Sequence, residues 1–86
     1  MSTFRYSVSI MPREGILDPQ GRAVEAALPQ LGADSVSEVR VGRRVELSVE
    51  AADEGRAHAI VERLAAELLA NPLVERWQIE ALEAVA

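Results

Sequence analysis

His58 is the only histidine of this chain, cysteine is absent, and all nine basic residues are arginine. Those facts remove most catalytic constellations before any fold is considered. Thiolate nucleophiles, thiolate metal sites and disulfides need cysteine, and a multi-histidine metal cage needs more than one imidazole. His58 lies four residues after Glu54, one position from the apolar stripe of a helix. No nucleophile or second ligand accompanies it, so it reads as an edge-of-core or surface histidine with carboxylate neighbours. The serines Ser2, Ser7, Ser9, Ser35, Ser37 and Ser48 lie on strands, a loop and a terminus, and none sits in a Gly-x-Ser-x-Gly elbow. The fourteen carboxylates are dispersed, and no pattern pairs two of them at catalytic separation. A solvated acidic surface accounts for most of them.

Binding signatures are equally sparse. Gly15, Gly21, Gly32, Gly42 and Gly55 form neither a P-loop nor a dinucleotide fingerprint. Gly21, in the first turn of a helix, could present bare N–H groups to an anion or let another chain approach closely; the second reading is the plainer. Arg40, Arg43 and Arg44 form a cluster that suits a phosphate or an acidic partner, or else a charged tip that protects a sheet edge. Phe4 and Tyr6 raise the RNA-recognition reading, but they share a face with Val8 and Ile10, which marks that face as core. Trp77, the sole tryptophan, is either core or an anchor in a subunit interface.

The elements that position these residues follow from periodicity. Phe4, Tyr6, Val8 and Ile10 alternate with polar residues and predict a strand that ends at Pro12, with a turn at Arg13-Glu14-Gly15. Asp18 and Pro19 suit the cap and first position of a helix carrying Val24, Ala27, Leu28 and Leu31 on one face. Pro29 predicts a kink or early end, and Gly32 a stop. Val39 and Val41, then Val45, Leu47 and Val49, predict a hairpin through Gly42-Arg43-Arg44, with a three-residue loop or bulge keeping one face apolar. Asp53 caps a second helix with Ala57, Ile60, Val61, Leu64 and Leu68 on its buried face. Asn71-Pro72 ends it, Val74 to Leu82 is the last strand, and a short tail follows. The predicted order β-α-β-β-α-β defines one domain, 1–86. It is an α+β, ferredoxin-like fold: a four-stranded, mainly antiparallel sheet with two helices on one face.

A chain of 86 residues buries a small core, and such domains commonly need a disulfide, a metal or a partner subunit. Self-association is the staple that this composition leaves. The formal net charge of −5 disfavours phosphate backbones and anionic membrane surfaces. No apolar run approaches the ~20 residues of a membrane span, and the N-terminus lacks the pattern of a signal peptide. The expectation is a cytoplasmic protein that binds neither nucleic acid nor membrane.

Three segments together resemble a known family. Pro12-Arg13-Glu14-Gly15-Ile16-Leu17-Asp18-Pro19-Gln20-Gly21, Val39 to Leu47, and Leu68-Leu69-Ala70-Asn71-Pro72-Leu73-Val74-Glu75 are similar, in order and spacing, to PurS, the small subunit of phosphoribosylformylglycinamidine synthase. The resemblance runs from the first strand through Ile79-Glu80. It implies a place in de novo purine synthesis, within a glutamine-hydrolysing C–N ligase that makes formylglycinamidine ribonucleotide. In that complex a synthetase subunit (PurL) uses ATP and Mg, and a glutaminase subunit (PurQ) releases ammonia. The small subunit carries no catalytic residue, cofactor or metal of its own. It forms a homodimer, or a larger assembly, and promotes assembly and ammonia coupling between the other two. The resemblance makes the turn and helix start from Gly15 to Gly21, with Asp18, Pro19 and Gln20, the first candidate for partner contact, Arg43 and Arg44 the second, and Asn71 and Pro72 the third; Arg13 and the edge-strand tryptophan Trp77 are further interface candidates. Arg13 and Arg43 stand where lysine is common in the family, and Pro29 interrupts a helix that usually continues. The competing reading is an ACT-like small-molecule sensing dimer, in which a glycine-containing loop such as that at Gly15 would close over an amino acid. The Asp-Pro-Gln-Gly continuation is unlike that module.

Overall fold

The computed structural model describes residues 1–82, so the short tail expected at 83–86 lies outside the described residues. Three strands form one antiparallel sheet in the order β2-β1-β3, with β1 at Ser2–Pro12, β2 at Arg43–Ala51 and β3 at Glu75–Leu82. The period-two pattern decides which face of β1 is buried. Tyr6, Val8 and Ile10 are all at most 1% exposed and face the core. Val8 lies between Val45 and Ile79, and Ile10 lies between Trp77 and Arg43, so the cross-strand neighbours on this inner face are apolar until the end of the sheet, where Arg43 stands.

Helix α2 (Glu54–Leu64) covers that face across β2 and β1. The Asp53 side chain accepts the Arg56 N–H at 2.8 Å and starts the helix, as the sequence predicts. Ala57, Val61 and Ala65 turn inward and are wholly buried; their small side chains let the helix lie close on the strands. The helix then continues into a π-helical turn, Ala65–Leu69, closed by Ala70 N–H donating to the Ala65 carbonyl at 3.0 Å. The wider turn rotates later side chains off the 3.6-residue stripe. Leu69 therefore packs on the core, whereas Leu68, expected on the buried face, is 74% exposed. Ile60, also expected inside, is half-exposed at the flank of the helix.

The sheet has three strands, which corrects the expected four. The arm Val39–Val41 alternates like a strand but pairs with none. Its N–H groups are captured by side chains instead: Val39 donates to Glu25 Oε1 at 3.1 Å and Val41 to Asp18 Oδ2 at 2.8 Å. Glu38, at φ 56°, turns the chain just before the arm, and no hairpin forms. Arg43 and Arg44 are consequently the first residues of β2 and not a hairpin tip.

The first helix corrects a second expectation, that both helices lie on one face of the sheet. Helix α1 (Pro19–Ala27) ends before Pro29 and runs into a 3-10 turn, Leu28–Leu31, with Gly32 in the left-handed conformation at φ 71°. The early end follows from the missing proline N–H. Apart from Gly21, no residue of α1 is buried. It packs chiefly on the 3-10 turn and the arm, and stands off the strands.

Ser7 sits on the outer face of β1, 1% exposed, and its Oγ has no hydrogen-bond partner. A buried hydroxyl without a partner costs about 1–3 kcal/mol. Ser7→Ala should therefore not lower stability, and should raise the midpoint of urea unfolding.

Candidate functional site

Eight of the eleven residues that the sequence assigns to partner contact converge at one end of the sheet, where β1 ends and β2 and β3 begin. Asp18 organises the first part. Its Oδ1 accepts the Gly21 N–H at 3.1 Å and caps α1, while Oδ2 accepts the Val41 N–H. Those two N–H groups, that of Val41 first, hold its carboxyl below the usual carboxylate range, and the Arg40 guanidinium adds to the effect. Arg40 also donates to the Pro12 carbonyl, tying the arm to the end of β1. Gly21 is buried because a side chain there would collide with the Asp18 carboxylate and the Val39 carbonyl. The backbone that approaches Gly21 is that of its own arm, and its N–H already donates to Asp18.

Arg43 organises the second part. It makes a bidentate pair with Glu75, at 2.6 Å and 3.1 Å, and donates to the Leu69 carbonyl. Glu75 Oε1 also accepts the Asn71 N–H at 2.8 Å, and Asn71 Oδ1 accepts the Leu73 N–H at 3.1 Å. The Arg43 hydrogen bond and then the Asn71 N–H hold the Glu75 carboxyl below its ordinary range. Arg13 completes the knot through its Nε, which donates to the Pro72 carbonyl at 3.0 Å, and its own N–H, which donates to Val74 at 2.8 Å.

Between the two parts lies an open cleft of ≈ 320 Å³, with Pro12, Ile16, Leu17, Pro19, Val41 and Val74 among its walls. Asp18, Gln20, Arg43 and Glu75 also line it. The three charged groups are already engaged by backbone or by each other. The cleft accordingly offers apolar wall and no free charge, which suits an apolar side chain of another protein and not a phosphate or a nucleotide. Leu17 and Leu73, 68% and 85% exposed, add apolar surface at this end.

Gly15, Arg44 and Trp77 lie elsewhere. Gly15, at φ 81°, takes the turn conformation that glycine tolerates and borders a depression with Glu14, Glu38 and Arg40. Arg44 is 3.7 Å from Glu46 and lies opposite Ser9 on the outer face. Trp77 is half-buried on the inner face, opposite Ile10. Glu75, Glu25 and Gly42 are the residues that sequence reasoning missed. Arg43 and Glu75 are 32 residues apart, beyond any local spacing rule. Gly42 is required because a Cβ there would strike the Ile10 carbonyl and the Met11 sulfur. Among the described residues no group of three or more His, Asp or Glu could hold a metal ion, and no helix is long and apolar enough to cross a membrane.

This fold and site define a small α+β module whose end cleft has mainly apolar walls and whose polar groups there are tied to its own backbone: a protein-contact subunit. Comparison with known proteins gives the class a family. Residues 5–83 match the family model described as PurS: phosphoribosylformylglycinamidine (FGAM) synthase. The PurS subunit of Synechocystis is 40% identical over 83 residues, 94% of this chain and 83% of the relative. That of Mycobacterium leprae is 41% identical over 75 residues, 87% and 91% of the two chains. A chain in the structure of PurLQS from Thermotoga maritima superposes with a TM-score of 0.87 at 32% identity, covering 95% of this chain and all of that one. Bacillus subtilis PurS gives 0.81 at 34%, covering 93% and 99%. This chain belongs to the PurS family of phosphoribosylformylglycinamidine synthase subunits, and the small-molecule sensing alternative finds no support.

Asp18 and Glu75 both have folded-state pKa values below their unfolded ones. Their contribution is complete above the unfolded values, about 4, and is lost as pH falls through the folded values. Thermal unfolding scans should show stability dropping below pH ~4. Asp18→Asn, which replaces one of the two accepting oxygens by an NH2 donor, should lower the melting temperature by roughly 5 °C at pH 7. The gap between variant and wild type should close at the acid end.

Proposed function

We propose that this chain is the non-catalytic small subunit of a phosphoribosylformylglycinamidine synthase complex in de novo purine synthesis, acting in the cytoplasm as a homodimer. The observation that carries the reading is the full-length match to a chain of the Thermotoga PurLQS structure, which holds PurL and PurQ beside the small subunit. The reaction joins ammonia from glutamine to an amide carbon activated at the expense of ATP. It converts formylglycinamide ribonucleotide, glutamine, ATP and water to the amidine, glutamate, ADP and phosphate. ATP and Mg act on the synthetase subunit, and the cysteine chemistry of glutamine hydrolysis belongs to the glutaminase.

The physical task left for a third subunit is to keep ammonia from escaping into water between two sites. That requires the two enzymes to be held in fixed register with a closed wall between them. The end cleft is the surface we assign to a partner subunit, because its charges are internally satisfied and its walls are apolar. Leu17 is the side chain on which this assignment turns.

Reconstitution with the synthetase and glutaminase subunits tests the reading. Omitting this chain should lower glutamine-dependent amidine formation by an order of magnitude or more, and should lower the rate with added ammonium salt much less. Unchanged glutamine-dependent activity would refute the role. Leu17→Asp alters an exposed residue, so the melting temperature should stay within ~2 °C of wild type. Glutamine-dependent activity should nevertheless fall at limiting subunit concentration.

A further inference from the structure

The chain carries a formal net charge of −5, so a place on its surface where cations stand without acids is an exception. One such place lies on the outer face of the sheet, turned away from α2. No helix covers that face among the described residues: α2 buries its side chains on the inner side, and α1 stands off the strands. Strand register puts two arginines at the same end of it. Ser9 lies between Arg44 and Gln78, and Met11 lies opposite Arg76. Arg44 has a carboxylate neighbour, Glu46, at 3.7 Å. Arg76 has no ion pair among the described residues. The acid on the same face of β3, Glu80, lies ~13 Å along the strand at ~3.3 Å per residue, and the two do not pair.

A pocket of ≈ 320 Å³ opens beside Arg76, with Ser9, Met11 and Gln78 among its walls and no carboxylate. Its polar groups are the reverse of those at the end cleft. There the charged groups are engaged by backbone or by each other. Here a guanidinium, an amide and a hydroxyl stand exposed. Those groups define a ligand. A guanidinium presents paired N–H donors that match the two oxygens of a carboxylate, and the amide and hydroxyl add further donors. Met11 gives an apolar wall to the stem that carries such a carboxylate, and methionine and arginine are both enriched where proteins meet. A polyanion is disfavoured, because one unpaired guanidinium stands on a chain of net charge −5.

We infer that this pocket receives an aspartate or glutamate side chain of an unlike partner subunit, so that the outer face forms a second, charge-guided contact beside the apolar end cleft. The inference rests on the proposed function and adds to it a surface and the chemistry that recognises it.

The absence of lysine makes a direct test available, since all nine basic residues are arginine. Arg76→Lys keeps the charge and places the chain's only side-chain amine in the pocket. In the complex reconstituted with the synthetase and glutaminase subunits, a carbodiimide should join that amine to an aspartate or glutamate of one of them, identified by mass spectrometry of the linked peptides. Links from residue 76 solely to carboxylates of this chain or of a second copy, or no link at all, would overturn the assignment. Charge variants give a second reading. Arg76→Glu and Gln78→Glu alter exposed side chains, so their melting temperatures should stay within ~2 °C of wild type. The concentration of this chain that gives half of the full glutamine-dependent rate should nevertheless rise by about tenfold or more in Arg76→Glu at low salt, and in smaller measure in Gln78→Glu. The rate at saturation should be kept. Arg63→Glu, at a side chain 78% exposed on α2, makes the same change in net charge and should shift that concentration less than about threefold. An equal shift in Arg63→Glu would reduce the effect to net charge and overturn the pocket, as would wild-type behaviour of Arg76→Glu. No stimulation by the wild-type chain would remove the proposed function itself, and this contact with it.

Discussion

The Asp18 carboxylate ties the start of α1 to an arm that lies 23 residues further along the chain. One oxygen caps α1 and the other takes the Val41 N–H. With Glu25 taking the Val39 N–H, the arm is bound to the helix and removed from strand pairing. That choice leaves the sheet with three strands, two open edges and a half-covered inner face. It also holds α1 away from the strands with its aliphatic stripe exposed. The site at the end of the sheet depends on the same contact, since Asp18, Pro19 and Gln20 form one side of the cleft.

Much of this arrangement was legible in the sequence. The alternation of Phe4, Tyr6, Val8 and Ile10 located the central strand and its buried face. Asp18-Pro19, Asp53 and Asn71-Pro72 set helix ends, and Pro29 did shorten the first helix. The arm was misread because its alternation is real, whereas the groups that capture its N–H donors lie 14 and 23 residues away. Leu68 was misplaced because the π-helical turn breaks the 3.6-residue repeat. At the site, Arg13, the Asp18 segment and Arg43 were named from the sequence, but Glu75 was not. Its role depends on a strand register that brings Arg43 and Glu75 together across 32 residues of sequence.

A subunit without chemistry still faces physical demands. To couple two enzymes it must present the same surfaces every time, so its polar groups are best used to fix its own backbone. Arg43, Glu75 and Asp18 do so, and they leave no free charge at the cleft. The apolar residues left uncovered, among them Leu17, Leu31 and Leu73, are the surface that the proposed function assigns to contact with other chains. Stability and function draw on the same surfaces: the area that a solitary chain leaves exposed is the area that assembly removes.

Small-angle X-ray scattering, recorded with an absolute mass scale, tests most directly whether this is a fold completed by a second copy. The account predicts twice the mass of the chain with a radius of gyration above 16.7 Å, because two copies that keep their shape cannot be more compact about their common centre than one copy is about its own. A particle of single-chain mass would contradict it, whether compact near 12 Å or extended at the 16.7 Å of the isolated chain.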